Sequence, residues 1–466
     1  MERKNIWTSY SQQELEKLEA INADYRNCLD RGKTERECVR LTVERIEAQG
    51  YRNLDDLKKS PQTLKPGDKV YAVCMDKTIA MFQIGKKPLQ EGMNILGAHI
   101  DSPRIDVKQN PLYEDEDMAY LDTHYYGGIK KYQWVTLPLA IHGVVAMKDG
   151  AVQEICIGEK EDDPVFVITD LLIHLAGQQM EKKASKVVEG ENLDLLIGSR
   201  PIDQDESLDE KEKKAVKANV LHLLKEYYHM EEEDFASAEL EIVPAGKARE
   251  CGLDRSMILA YGQDDRVCAF TSLFAMLDVE APERTACCLL VDKEEIGSVG
   301  ATGMQSRFFE NTVAELIALT DGESELKVRR ALQNSKMLSS DVSAAFDPLY
   351  AEAFEKRSAA FFGSGLVYNK FTGSRGKSGS NDASAEYLAR VRRVMDEAGV
   401  AYQFAELGKV DIGGGGTIAY IMGNYGMEVI DSGVAVLNMH APWEASSKAD
   451  VYEAYKGYCA FLEKMS

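Results

Sequence analysis

The stretch VDKEEIGSVGATGMQS, residues 291–306, sets two adjacent glutamates, Glu294 and Glu295, between an apolar run and a glycine-rich turn. The run before it, Ala286 to Val291, is free of Gly and Pro and reads as a buried strand. Ligands of open α/β sheets bind beyond the carboxyl ends of such strands, so this pair emerges where chemistry is done. Neighbouring residues leaving a strand point to opposite sides, which lets two carboxylates take two tasks. One can hold a metal ion while the other moves the protons of a water. Alone, such a pair is most simply a solvated loop feature; its meaning depends on the rest of the chain.

The chain has 466 residues, enough for two or more domains. Hydrophobic residues at 44% and charged residues at 28% describe a globular protein. A formal net charge of -22 repels nucleic acid and anionic membranes, so neither is expected as a partner. The nine cysteines are scattered and form no CxxC pair, which points to free thiols in a reducing cytoplasm. The start, MERKNIWTSY, has no apolar signal region, and no apolar run approaches a membrane span, so a cytoplasmic location is expected.

Taken in order, Ser11-Gln-Gln-Glu14 and Thr34-Glu-Arg-Glu37 are capping boxes that open two helices. KVYAVCM (69–75) and TIAMFQIG (78–85) predict a hairpin, and the strand NILGAHI leads to His99 and Asp101. From about Asp106 to Gly246 the pattern turns β-rich, with a charged segment at 203–217 and a helix near 220–230. This region reads as a domain (106–246) inserted into a discontinuous one (1–105 and 247–466). After Cys251 the α/β grammar returns. A helix covers about 265–277, the strand KMLSSD ends at Asp341, and EVIDSG and VAVLNMH deliver His440.

Five strand or helix ends therefore carry a ligand-type residue: His99, Asp264, Glu295, Asp341 and His440. Two imidazoles and three carboxylates suit a pair of zinc-like cations sharing one carboxylate. Two such ions about 3.5–4 Å apart need an anion between them. Asp101, two residues beyond His99, is placed to accept a hydrogen bond from its imidazole. Asp264 and Asp341 could equally cap a helix or a turn. His124, His142, His222 and His229 lack comparable settings and receive no metal role.

The segments GAHIDSPRIDVKQNPLYE, YGQDDRVCAF, DKEEIGSVGATGMQS, SSDVSAAFDP and NMHAPWEASSKADVYEAYK resemble, in order and over nearly the whole chain, the active-site motifs of the aspartyl aminopeptidase family of dinuclear zinc metallopeptidases. The resemblance implies a three-layer α/β/α zinc-peptidase catalytic domain with an inserted β-rich dimerisation domain. It implies a metalloaminopeptidase with two divalent ions, zinc or else cobalt or manganese. His99, Asp264 and Asp341 would hold one ion and Asp264, Glu295 and His440 the other. Glu294 would be the general base acting on a bridging water, Asp101 the residue that orients His99, and the peptide bond after Asp264 would be cis. It further implies a homo-oligomer, a dodecamer built from dimers, that admits small peptides.

An acidic first residue of the substrate would be met, by the same resemblance, by Lys370 and by His174 reaching from a partner subunit. The stretch YNKFTGSRGKSGSND departs from the family pattern in its extra glycines and basic residues, so a broad or hydrophobic preference stands as the alternative. A dinuclear carboxypeptidase or deacylase is a further one, with Arg104 or Arg375 clamping a substrate carboxylate. A shell-forming scaffold with a vestigial site is disfavoured because every ligand type and the base are present.

Overall fold

Strand Met93–His99 is buried at every position, and so are its neighbours Thr285–Val291 and Lys336–Ser340 apart from one partly exposed end. Runs of that kind fit the interior of a parallel sheet covered on both faces. The computed structural model describes residues 4–59, 62–202 and 214–466, with the backbone alone at 374 and 375. These strands form the middle of a nine-stranded sheet, in the order Arg52–Asn53, Lys69–Cys74, Thr78–Gln83, Thr285–Val291, Met93–His99, Lys336–Ser340, Glu428–Gly433, Leu366–Asn369, Tyr402–Phe404. The four strands from Thr285–Val291 to Glu428–Gly433 run parallel, which puts their carboxyl ends along one edge.

The pleat sends alternate side chains to two separate cores. Ala286, Cys288 and Leu290 pack with Leu96 and Ala98 against helices Gln12–Arg31, Gln263–Asp278, Ala385–Ala398 and Lys448–Lys464. Cys287, Leu289 and Val291 pack with Met93 and Ile95 against Phe308–Thr320 and Glu325–Asn334. The chain is thus a mixed α/β fold with several sheets. Both predicted capping boxes are formed, Ser11 with Glu14 and Thr34 with Glu37. The predicted hairpin pairs Lys69–Cys74 with Thr78–Gln83 in antiparallel register.

By its internal contacts the chain divides into one unit of residues 1–102, 248–439 and 444–466, and another of 103–247 and 440–443. The first also holds a five-stranded sheet, Arg249–Cys251, Met257–Ala260, Glu444–Ser447, Ala435–Leu437, Ser343–Ala344. The second is built on a six-stranded sheet, Val152–Ile157, Leu139–Ala146, Ala238–Pro244, Arg104–Asp115, Met118–Tyr126, Leu195–Gly198, with helix Ala215–Tyr228. Residues 203–213 of the predicted charged segment lie outside the described residues.

One element departs from the sequence reading. The strand expected to deliver His440 ends at Leu437, and Asn438 and His440 both take positive φ, 60° and 65°. A left-handed residue breaks the extended repeat, so His440 sits in a turn rather than at a strand end. Among the described residues no helix is long and apolar enough to cross a membrane.

Candidate active site

Register alone brings the first functional residues together. Val291 lies opposite His99 on the adjacent parallel strand, and the N–H of Ile100 donates to the Val291 carbonyl at 2.9 Å. The chain leaving Val291 turns through Lys293 at φ 69° into a short 3-10 turn, Glu294–Ile296, closed by Gly297 at φ 96°. Glycine is the residue that enters this left-handed conformation without strain. On the other side Asp341 follows Ser340, and its N–H donates to the Ser432 carbonyl at 3.1 Å. A Cβ on Gly433 would fall 1.9 Å from the Asp341 carbonyl oxygen, so only glycine lets the two backbones approach this closely.

Asp264 comes from the start of helix Gln263–Asp278, where the Asp264–Asp265 peptide is cis. Its N–H donates to Glu444 Oε2 at 3.0 Å, and its carbonyl accepts the Ser102 hydroxyl at 2.7 Å. Arg266 steadies that hydroxyl at 3.2 Å and also donates to the carbonyl of Gly32. The side chain of Asp264 then reaches His99, with Oδ1 at 3.2 Å from Nε2.

His99 is held from its other nitrogen. Nδ1 lies 2.9 Å from the Asp101 carbonyl oxygen and 3.4 Å from the Asp101 carboxylate, both acceptors. Those partners hold a proton on Nδ1, so Nε2 is the nitrogen that faces Asp264 and Glu294, the latter at 3.9 Å. His440 is oriented in the same manner within its own unit, with Nδ1 2.9 Å from the Gly128 carbonyl oxygen.

Two groups of donor atoms, each within 4.8 Å of one another, result: His99 with Asp264 and Glu295, and His99 with Asp265 and Asp341. Nitrogen and carboxylate oxygen at these separations suit zinc, whose ligand bonds of about 2.0–2.2 Å put neighbouring donors roughly 3.3 Å apart. The electrostatics agree with a cation's place. Burial, then the neighbouring Glu294, pushes Asp341 well above the usual carboxylate range. Burial does the same to Asp265, whose Oδ1 is enclosed with no hydrogen-bond donor. Burial opposes a charge on His99, but hydrogen bonds to Asp101 and Asp264 together with Glu294 raise it well above its ordinary value. Several buried carboxylates converging on one imidazole are stabilised by an ion among them.

The sequence did not single out Asp265 or Glu444. Asp265 donates no ligand-type spacing of its own, being hidden beside Asp264 in QDDR, and Glu444 lay unremarked in NMHAPWE. Lys370 and Lys377 both pair with Asp382, Lys377 at 3.0 Å, and Lys377 also stands 3.8 Å over the Phe371 ring. Arg104 is buried between Asp106 at 2.7 Å and Glu241 at 3.1 Å and stacks on Tyr126, so its guanidinium is committed to the protein. His174 is exposed.

A strand-end histidine with carboxylates gathered around it defines a metal-dependent hydrolase. The model of the family described as "Aminopeptidase I zinc metalloprotease (M18)" matches residues 28–462, and the chain belongs to that family. It is therefore an aminopeptidase, a peptide hydrolase of a zinc metalloprotease family. A probable M18 family aminopeptidase 1 of Clostridium acetobutylicum is 60% identical over 99% of this chain and 98% of its own. The crystal structure of an M18 aminopeptidase from Thermotoga maritima, 46% identical, covers 100% of both chains with a TM-score of 0.93. That of aminopeptidase I from C. acetobutylicum covers 100% of both at 57% identity with a TM-score of 0.92.

Proposed function

We propose that this aminopeptidase is a dinuclear enzyme, with Asp264 shared between two ions, His99 and Asp341 completing one site, and Glu295 and His440 the other. The observation that carries the reading is the Nε2 of His99 standing 3.2 Å from Asp264 Oδ1, with donors of Glu295 and Asp341 gathered around the same imidazole. His440 enters through its motif, NMHAPWE. Zinc, when bound, supplies Lewis acidity toward the scissile carbonyl and the attacking water.

The remaining work belongs to the chain. Glu294, partly exposed beside the donors, takes a proton from the attacking water and returns it to the leaving amine. Asp101 keeps the imidazole of His99 in the tautomer that presents Nε2. Glu444 and Ser102 fix the backbone of Asp264 from both sides, so its carboxylate does not rotate away.

For specificity, Lys370 meets an acidic first side chain, and His174 reaches the site of a partner subunit. Exposed apolar side chains flank His174 in the chain: Leu171, Leu172, Ile173 and Leu175, with Met180 shortly after. A patch of that kind is covered in an assembly, which supports a homo-oligomer built from dimers, a dodecamer. A second reading has its own observation. Asp382 already engages both Lys370 and Lys377 and offsets one of their two charges, which favours neutral first residues.

Aminoacyl chromogenic substrates with Asp, Glu and Leu, assayed after chelation and restoration with Zn, Co or Mn, test the whole. Two ions per chain at full activity, with Asp and Glu turned over faster than Leu, support the first reading. Full activity at one ion, or Leu turned over faster, refutes the dinuclear or the acidic part respectively.

A further inference from the structure

The amino ends of the parallel strands, opposite the edge that carries the peptidase donors, gather positive charge. Register sets Thr285 beside Met93, Asn94 beside Lys336, and Lys336 beside Glu428. Ala286, Leu338 and Ile430 pack into one of the two cores. By the alternation of the pleat Arg284, Lys336 and Glu428, each two residues earlier, belong to that same face. Helix Ala385–Ala398 covers it, held by the Tyr387 hydroxyl, which donates to the Met337 carbonyl at 2.9 Å, and it brings Arg390 one turn further on. Gly92 completes the convergence. A Cβ there would lie 2.4 Å from Arg284 Nη2; without one, the guanidinium passes the start of strand Met93–His99 and donates to the Asn334 carbonyl at 2.5 Å.

Arg284, Lys336 and Arg390 are thus three cations around the single carboxylate of Glu428. Lys336 Nζ lies 3.2 Å from Glu428 Oε2, and Arg390 Nη2 pairs with that same oxygen. Arg284 bonds to a neutral carbonyl although it is only 7% exposed, a costly setting for a charge. Glu91, the other carboxylate in whose field it sits, is exposed. The Nε groups of Arg284 and Arg390 are both enclosed, and neither has an acceptor among the described residues. Burial foremost, with repulsion from Arg284 and Arg390 added, holds Lys336 below the usual ammonium range in spite of Glu428. A cluster that served to pin the helix to the sheet would be complete with Lys336, Arg390 and Glu428. The third cation and the two idle N–H groups have no place in it, and an anion among them would satisfy all three.

We propose that Arg284, Lys336 and Arg390 form a binding site for an oxyanion of the phosphate class, on the edge of the sheet away from the peptidase donors. Guanidinium groups present planar sets of N–H donors that match phosphate oxygens, and the ammonium adds a point charge. The side chains of Arg390 and Glu428 are 34% and 33% exposed, which gives the ion a way in. The probe is inorganic phosphate, titrated calorimetrically into the full-length, metal-loaded enzyme, with chloride at matched ionic strength as the control. Arg390→Gln is expected to weaken phosphate binding at least about tenfold, the worth of a hydrogen bond between charged groups. Glu428→Gln removes the repelling carboxylate and is expected to tighten it. A merely structural cluster would be loosened by either change and tightened by neither. Phosphate held by the peptidase ions would compete with substrate and ignore both substitutions. Peptidase kcat/KM is expected to stay at the wild-type level in both, since the strands separate the cluster from the donors by roughly 15–20 Å. No saturable binding at millimolar phosphate, a response matched by chloride, an affinity unmoved in Arg390→Gln, or one that fails to rise in Glu428→Gln overturns the site. None of these outcomes bears on the peptidase reading.

Discussion

Asp101 Oδ1 accepts the backbone N–H of Glu294 at 3.1 Å and lies 3.4 Å from Nδ1 of His99. Its second oxygen accepts the N–H of Glu295 at 3.2 Å. One carboxylate therefore sets the position of an imidazole and of two glutamates that arrive on a different strand. Both of its oxygens are occupied as acceptors.

Asp101→Asn tests that arrangement. The amide has one acceptor oxygen and would turn a donor toward one of the two N–H groups, leaving it unsatisfied at a cost of about 1–3 kcal/mol. Metal affinity and kcat/KM are each expected to fall about 10- to 100-fold, as for other partners of metal-bound histidines. Equilibrium dialysis with zinc and steady-state kinetics measure the two. Unchanged metal affinity would show that the Asp101 carbonyl alone orients His99.

The two adjacent glutamates should fail differently. Glu294→Gln keeps the donor groups and removes the base, so kcat is expected to drop about 10²- to 10⁴-fold while metal content stays at the wild-type level. Glu295→Gln removes a donor, and its deficit should appear first in metal content and be relieved in part by excess zinc. Kinetics and metal analysis on the same preparations separate them. Equal metal loss in both variants would refute the division of labour.

Lys370 and Asp382 make a matched pair of experiments. If Lys370 meets an acidic substrate side chain, Lys370→Leu costs Asp-substrate turnover about 10- to 100-fold, the worth of a hydrogen bond between charged groups, and spares Leu-substrate turnover. Asp382→Asn releases both ammonium groups from their internal partner and should raise kcat/KM for the Asp substrate. Parallel losses on both substrates in Lys370→Leu would remove this residue from the specificity pocket.

Much of this arrangement could be read from residue order because it depends on local rules. The all-apolar run before Glu294 and the strand before His99 are parallel-sheet interior, and such strands announce where their ends will be. The capping boxes at Ser11 and Thr34 are equally local. What stayed hidden depends on contacts distant in sequence. Nothing near Glu444 says that its carboxylate will accept the N–H of Asp264, 180 positions away. The alternation of VAVLNMH hid the positive φ at Asn438 and His440 that ends the strand early, since both residues pass as polar strand positions.

Asp450 carries a prediction about pH that involves no metal. It is fully buried in the first unit, where its two oxygens accept the N–H groups of Gly363 at 2.8 Å and Gly365 at 2.7 Å. Burial outweighs those hydrogen bonds and raises its pKa from 3.8 to about 7. Between those two values the folded protein holds a proton that the unfolded chain has released. Stability then falls as pH rises through the window, and the loss is complete above about 7. Asp450→Asn cannot ionise, so its stability lacks this slope. It resembles the protonated wild type at pH 4 and gains on the wild type as pH climbs. The melting-temperature difference, variant minus wild type, is therefore expected to move in the variant's favour from pH 4 to 7, with the contributions of other groups cancelling. A difference that stays constant across that range would mean that Asp450 is ionised throughout, its charge fully met by the Gly363 and Gly365 donors.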